Sequence, residues 1–134
     1  MASIKFRGKE INYASREDFW KLVETEGWEK ETFDAIDRFV KPNTTFVDIG
    51  AWNGVFSIYA TLKGADVIAS EPDGVAYNEF SDNCEANNIY PYITWRAIMG
   101  SALTDCFISS NGGMYGTSES RVFLNKTNES DLQS

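Results

Sequence analysis

A β-branched apolar run that ends in a glycine turn and leads directly into a helix constrains this chain more than any other feature. Residues 44–49 (TTFVDI) are typical of a buried parallel strand. Gly50 and Gly54 bound the turn that follows. Apolar side chains within 55–62 then recur with helical spacing as far as Gly64. A strand that runs into a helix in this way predicts an α/β domain with a parallel sheet.

The segments on either side extend this pattern. We expect three parallel strands in the order 3-2-1 with helices on both faces of the sheet, preceded by an N-terminal β-hairpin and two helices. Residues 1–134 are assigned to one domain with three parts. These parts are the hairpin and two helices (1–43), the β-α-β-α-β core (44–98), and a β-pair with a frayed tail (99–134). Ser15 is the expected N-cap of the first helix.

Composition narrows the classes of function. Lysine and arginine number 12 and aspartate and glutamate number 20, so the net charge is -8 and we expect no nucleic-acid partner. The absence of histidine removes the commonest general base and transition-metal ligand, and we expect no metal site. Neither a signal peptide nor a membrane-spanning run is visible. The sequence therefore predicts a cytoplasmic protein without a membrane partner.

The glycine turn is the first part of a candidate binding site. Gly50 permits the sharp turn and a close approach of a ligand to the backbone, and Gly54 permits tight entry into the helix. Trp52 stands where the GxGxxG fingerprint of dinucleotide binders has its second glycine, which admits a pyrophosphate. The loop therefore favours a nucleoside ligand without phosphates. Its Trp52 either stacks on that ligand or merely covers the loop.

Two carboxylates complete the candidate site. Asp48 lies at the carboxyl end of the first core strand, where it can accept hydrogen bonds from an ammonium group or a water. Glu71 ends the next strand, where a carboxylate can hold two ribose hydroxyls. Asp73 either helps at the ribose or adenine side or caps the following helix. S-adenosylmethionine (SAM) carries the ammonium and ribose that this set suits, and the candidate cofactor-binding residues are Asp48, Gly50, Ala51, Trp52, Asn53, Gly54, Glu71, Pro72 and Asp73.

These residues resemble a known family. Residues 46–57 resemble motif I of the FkbM-type SAM-dependent methyltransferases, and residues 68–73 with Asn83 resemble the next motif. The resemblance implies a class I, Rossmann-like methyltransferase fold and O-methylation of a small-molecule or sugar hydroxyl. It also implies that Asp48, Gly50 and Gly54 line the methionine and ribose of SAM, while Glu71 holds the ribose hydroxyls.

The chain departs from that family after its third core strand. Members continue through a strand with a Lys-Ile-Asp-x-Glu-Gly motif, and nothing similar follows residues 121–124. We therefore expect a truncated fold with about half of the usual sheet, and no general base is assigned. The strand at 44–49 becomes an exposed edge, which predicts a homo-oligomer or a partner chain.

Three hypotheses of function follow. The first is a SAM-dependent methyltransferase. The second is a truncated module that binds SAM or a partner without turnover, or half of a split methyltransferase. The third is a NAD-dependent enzyme, which Trp52 disfavours because its side chain occupies the space a pyrophosphate needs.

Overall fold

The computed structural model describes residues 2–97 together with the strands at 107–109 and 121–123. The N-terminal part consists of β1 (Ala2–Phe6), β2 (Lys9–Tyr13), α1 (Glu17–Glu24) and α2 (Lys30–Phe39). The core consists of β3 (Thr45–Ile49), α3 (Val55–Leu62), β4 (Asp66–Ser70), α4 (Gly74–Ala86) and β5 (Tyr92–Thr94). Two short strands follow, β6 (Phe107–Ser109) and β7 (Arg121–Phe123). The expected frayed tail lies outside the described residues.

The core strands form one parallel sheet in the order β3-β4-β5, which confirms the α/β fold and the predicted strand order. Phe46 lies opposite Val67, and Ala69 lies opposite Ile93. The hairpin β1–β2 and the pair β6–β7 are separate antiparallel sheets, so the predicted β-pair is also confirmed. The assignment of all 134 residues to one domain stays a prediction.

The prediction that helices cover both faces of the sheet is wrong for the part of the chain that the structure describes. Val67 and Ala69 point into the core, to which α3 and α4 both contribute buried side chains. On the opposite face Val47, Ile49 and Ile68 are 55%, 61% and 45% exposed. Each crossover in this sheet steps in the same direction, from β3 to β4 and from β4 to β5. Crossovers between parallel strands are right-handed as a rule, and two that step in the same direction place their helices on one face.

The start of α1 also differs from expectation. The helix begins at Glu17, and Arg16, rather than Ser15, occupies the preceding cap position with φ +61°. No side chain caps this helix end. The Arg16 guanidinium instead forms two hydrogen bonds with Glu79 of α4, at 2.6 and 3.0 Å. The ion pair ties the entry of α1 to α4.

The N-terminal part packs on the core through an aromatic cluster. Phe6 of β1 contacts Phe33 of α2 and Tyr59 of α3, with ring centroids 4.7 and 5.4 Å apart. Trp20 of α1 is completely buried in the same core. The hairpin and first two helices are therefore part of the packing that holds α3 in place. Among the described helices, none has the length and hydropathy needed to cross a bilayer.

A charged cluster closes the edge of this core. Asp37 of α2 accepts hydrogen bonds from the Tyr59 hydroxyl, the Arg7 guanidinium and the Lys63 ammonium. Burial alone raises the pKa of Asp37, but these three bonds outweigh it and hold the pKa below its usual value. The carboxylate therefore joins α2 to α3 and to the turn between β1 and β2 while it is ionised.

Removal of one hydroxyl from this cluster tests its contribution. We expect Tyr59→Phe to lower the free energy of unfolding by about 1–2 kcal/mol, because the variant loses a hydrogen bond to a charged acceptor. Urea denaturation measures the change. Tyr90→Phe is the matched control, since Tyr90 is 80% exposed. Equal stabilities of the two variants would contradict the assignment.

Candidate cofactor site

The loop between β3 and α3 folds back onto the end of β4. The backbone N–H groups of Gly50 and Ala51 both donate to the carbonyl oxygen of Ser70, each at 2.9 Å. The Gly54 N–H donates to the Ala51 carbonyl, also at 2.9 Å. These bonds hold the loop against the carboxyl end of the neighbouring strand. They bring the loop, Asp48 and Glu71 to one edge of the sheet, as the sequence predicts.

The two glycines of the loop have different physical roles. Gly50 has φ +78°, and a Cβ added there meets nothing within 4 Å, so the backbone is open on that side. Gly54 has φ +86°, and a Cβ added there lies 2.1 Å from Cδ1 of Phe80. Gly54 is thus required by the close approach of α4 to the start of α3. No pattern in the sequence indicates the Phe80 ring as the reason for that glycine.

Asp48 lies near the N-terminus of α3. Its Oδ2 accepts a hydrogen bond of 2.6 Å from the hydroxyl of Ser57, which is completely buried. Burial raises the pKa of Asp48, and its hydrogen bonds with Ser57 offset part of that rise. A half-buried carboxylate of this kind gains from a nearby cation or hydrogen-bond donor.

Glu71 is almost entirely buried and joins two segments of backbone. Oε1 accepts from the Trp52 N–H at 2.6 Å, and Oε2 accepts from the Asp73 N–H at 2.8 Å. Burial raises the pKa of Glu71, and the bonds from Asp73 and Trp52 lower it in part. Each carboxylate oxygen keeps a lone pair for a further donor. The backbone therefore already takes up part of the hydrogen-bonding capacity of the carboxylate that the sequence analysis assigned to the ribose hydroxyls.

The two residues after Glu71 have structural contacts. Asp73 is the N-cap of α4, because its Oδ1 accepts from the N–H groups of Val75 at 2.9 Å and Ala76 at 3.3 Å. The carbonyl of Pro72 accepts a 2.6 Å hydrogen bond from the Trp95 indole. Of the two roles left open for Asp73, the geometry shows the capping role. A cofactor contact of Asp73 or Pro72 stays a prediction.

Trp52 packs against the N-terminal part of the chain. Its ring meets Phe19 edge-on at 4.8 Å and lies 6.2 Å from the ring of Trp28. The Arg16 guanidinium lies 5.5 Å from the ring centroid on the ring face. Of the two roles left open for Trp52, these contacts favour a cover over the loop that is anchored in α1.

Asn53 is the most buried polar side chain of the loop. It has no exposed surface, and its Oδ1 accepts from the Val55 N–H at 3.3 Å. Its amide Nδ2 has no hydrogen-bond partner among the described residues, and neither does the Ser70 hydroxyl at the end of β4. Buried polar groups of this kind are uncommon in proteins, and the indole N–H of Trp20 in the core is another among the described residues.

The hydrogen-bond acceptors at this edge fit SAM. Asp48 and Glu71 provide buried carboxylate oxygens for an ammonium group and ribose hydroxyls. The open side of Gly50 leaves room for a ligand against the backbone. Within the described residues, no group of three His, Cys, Asp or Glu side chains is arranged to hold a metal ion.

Comparisons with known proteins find methyltransferases. Over 61 residues the chain is 36% identical to a ribosomal protein L11 methyltransferase of Bacillus pumilus. This match covers 45% of this chain and 20% of the relative. Over 67 residues it is 31% identical to a putative ribosomal RNA large subunit methyltransferase of Methanocaldococcus jannaschii. This match covers 50% of this chain and 17% of the relative. The chain thus matches about a fifth of the length of these relatives. No family model matches it.

One solved structure is also similar. A ribosomal protein L11 methylase of Lactobacillus delbrueckii subsp. bulgaricus is 28% identical, with a TM-score of 0.46, over 52% of this chain and 39% of that one. At this TM-score the fold assignment rests on the topology of the chain itself. The relatives are methyltransferases, in agreement with the prediction, whereas the FkbM type stays a prediction.

The relatives correct the expected partners. The sequence led us to expect a small-molecule or glycan acceptor and no nucleic acid. The matched relatives are named as methyltransferases of a ribosomal protein and of ribosomal RNA, so that expectation is wrong. The expectation of no nucleic acid rested on the net charge of -8, which is an average over this chain alone. The expectation of a small-molecule or glycan acceptor rested on the FkbM resemblance. The relatives extend far beyond the matched segment.

Proposed function

We propose that this chain is the cofactor-binding part of a SAM-dependent methyltransferase. The observation that carries the proposal is the convergence of three features at one sheet edge. These are the Asp48 carboxylate, the open backbone at Gly50 and the Glu71 carboxylate. Open α/β sheets bind ligands at the carboxyl ends of their strands, and all three features lie there. The sequence similarity of this chain to methyltransferases supports the same function.

Each group has a role suited to its surroundings. Asp48 would accept from the ammonium of the methionine part, and Glu71 would accept from ribose hydroxyls with the lone pairs that the backbone leaves. When bound, SAM supplies a methyl group on a sulfonium, which an acceptor nucleophile takes while it loses a proton, leaving S-adenosylhomocysteine. The contribution of the chain is to bind and orient.

The acceptor we propose is a component of the ribosome, either protein or RNA, because the names of the relatives specify those substrates. Incubation of the folded chain with labelled SAM and ribosomal subunits tests this. Label transfer with release of S-adenosylhomocysteine is the expected result. A folded chain that binds SAM but labels neither protein nor RNA would contradict methyl transfer by this chain alone.

The acidic groups predict how binding depends on pH. Burial raises the pKa of Glu71 and of Asp48, so each carboxyl takes up a proton at a higher pH than an exposed one. The stability contributed by their neutral forms is lost as pH rises through the raised pKa. The proposed contacts need both carboxylates ionised. The affinity for SAM should therefore fall on acidification at a pH above the ordinary carboxyl range.

On acidification the protein should stay folded at a pH at which its affinity for SAM has already fallen. Asp37 has a lowered pKa, and its stabilising bonds are lost only as pH falls through that lower value. Titration of the dissociation constant and the melting temperature over the same pH series measures both effects. An affinity that stays constant down to pH 4.5, the ordinary value for glutamate, would contradict the assigned contacts.

A second candidate is half of a split methyltransferase, and the uncovered side of the sheet favours it. Within the described residues β3 pairs with β4 only, so one edge of β3 has no partner strand. A groove of about 420 Å³ beside that edge is lined by residues of α2 and β3, including Ile36, Phe39 and Val47. Val47, Ile49 and Ile68 are exposed on the adjoining face. Such an edge and face are suited to a further strand and helix.

The split form predicts a different result in the same assay. The chain alone would bind SAM without turnover, and methyl transfer would appear when the missing strands are supplied by a second polypeptide. Co-expression with the C-terminal part of a matched relative, followed by the same label-transfer assay, distinguishes the two. Transfer by the chain alone would rule out the split form. We also propose that the methyltransferase is of the FkbM type, on the basis of the motif at residues 46–57.

A further inference from the structure

Asn83 of α4 connects the loop to the N-terminal hairpin. The side chain is 1% exposed and uses both ends of its amide. Nδ2 donates to the carbonyl oxygen of Asn53 at 3.1 Å, and Oδ1 accepts from the backbone N–H of Ala14 at 2.9 Å. One buried side chain thus holds the backbone of the loop on one side and the end of β2 on the other.

Asn87 provides a natural comparison one helical turn later. Its Oδ1 accepts from the Asn12 N–H at 2.8 Å, and its Nδ2 donates to the Asn12 carbonyl at 2.7 Å. Its Nδ2 also donates to the Asn83 carbonyl at 2.7 Å. Both asparagines therefore fasten α4 to the hairpin. Of the two, Asn83 is the one that bonds to the loop.

We propose that Asn83 is a positioning residue for the loop of residues 50–54. The inference rests on the proposed function, since it concerns the affinity of the same site. Among the described residues, the backbone N–H groups of Gly50, Ala51 and Trp52 donate to Ser70 and Glu71, on the β4 side. Asn83 holds the opposite end, directly before Gly54, where glycine provides little stiffness of its own.

Loss of this bond has a specific consequence. The Asn53 carbonyl would be left without its donor inside the protein, and unsatisfied buried groups drive the backbone to rearrange. A loop that spends less time in the competent conformation binds its ligand more weakly in proportion. The effect should appear in the loop and in cofactor affinity, beyond any general loss of stability.

A pair of leucine variants separates positioning from general support. Asn83→Leu and Asn87→Leu each remove the bonds to the hairpin and keep a side chain of similar shape, and the former alone removes the bond to the loop. We expect Asn83→Leu to raise the dissociation constant for SAM roughly tenfold and to speed hydrogen exchange at the amides of residues 51–54 by a similar factor. Asn87→Leu should change both by less than about twofold.

Further measurements keep the outcome decisive. If Asn83→Leu does not fold, Asn83→Asp keeps an acceptor for the Ala14 N–H and lacks the amide donor to Asn53. Equal effects of the substitutions at the two positions would overturn the inference and leave Asn83 a structural residue. If the wild-type chain binds no SAM, the proposed function fails. The exchange rates at residues 51–54 then decide the positioning role alone.

Discussion

Glutamine in place of Glu71 is expected to weaken SAM binding roughly 30- to 100-fold. The carboxylate accepts from two backbone N–H groups and keeps lone pairs for ligand hydroxyls. A glutamine has one oxygen, so it can satisfy one backbone donor, and its amide group faces the other donor. The variant loses the charge that strengthens every bond at this position. Isothermal titration calorimetry measures the change in affinity.

The control for this substitution is Glu85→Gln. Glu85 is exposed on α4, so the variant makes the same change in charge away from the sheet edge. Its affinity for SAM should equal that of the wild type. We expect Glu71→Gln to lose about 1–2 kcal/mol of stability through the orphaned backbone donor, which leaves it folded at room temperature. A Glu71→Gln protein with undiminished affinity would refute the assignment of Glu71.

Alanine in place of Gly54 should produce the largest loss of stability, roughly 2–5 kcal/mol. The new Cβ would lie 2.1 Å from Cδ1 of Phe80, which is fully buried and cannot move without disturbing the core. The backbone φ of +86° adds conformational strain for any residue with a Cβ. Both costs fall on the junction between the loop, α3 and α4.

Gly50→Ala separates the two costs. Gly50 has a similar φ of +78°, and its Cβ would meet nothing within 4 Å, so only the strain of about 1–2 kcal/mol remains. Chemical denaturation of both variants measures the difference. The double variant Gly54→Ala with Phe80→Leu should regain part of the stability that Gly54→Ala loses, because the smaller side chain relieves the contact. Equal stabilities for the two single alanine variants would contradict the clash.

The core of the fold was predictable because its signals are local. The period of the apolar residues marks β3, α3, β4 and α4, and the position of Asp48 and Glu71 at strand ends follows from strand boundaries alone. The error about helices on both faces was avoidable. Right-handed crossovers that step in one direction place their helices on one face, and the predicted strand order already contained that step.

The remaining details depend on contacts between distant residues. The Phe80 ring that makes Gly54 necessary lies in α4, and the Asn83 amide that holds Asn53 lies 30 positions further along the chain. Nothing in the residues around the loop indicates these partners. The same applies to Asp37, whose bonds to Arg7, Tyr59 and Lys63 depend on how the hairpin packs on α2. Tertiary packing determines these contacts, so a local pattern cannot supply them.

The central claim is that the edge formed by Asp48, the loop and Glu71 binds SAM, and calorimetric titration of the folded wild-type chain tests it most directly. We expect saturable heat from a single site with SAM, displacement by S-adenosylhomocysteine, and no heat with NAD. A folded sample that gives no heat with either SAM or S-adenosylhomocysteine would contradict the claim. Binding of NAD in place of SAM would contradict it equally and would favour a dinucleotide enzyme.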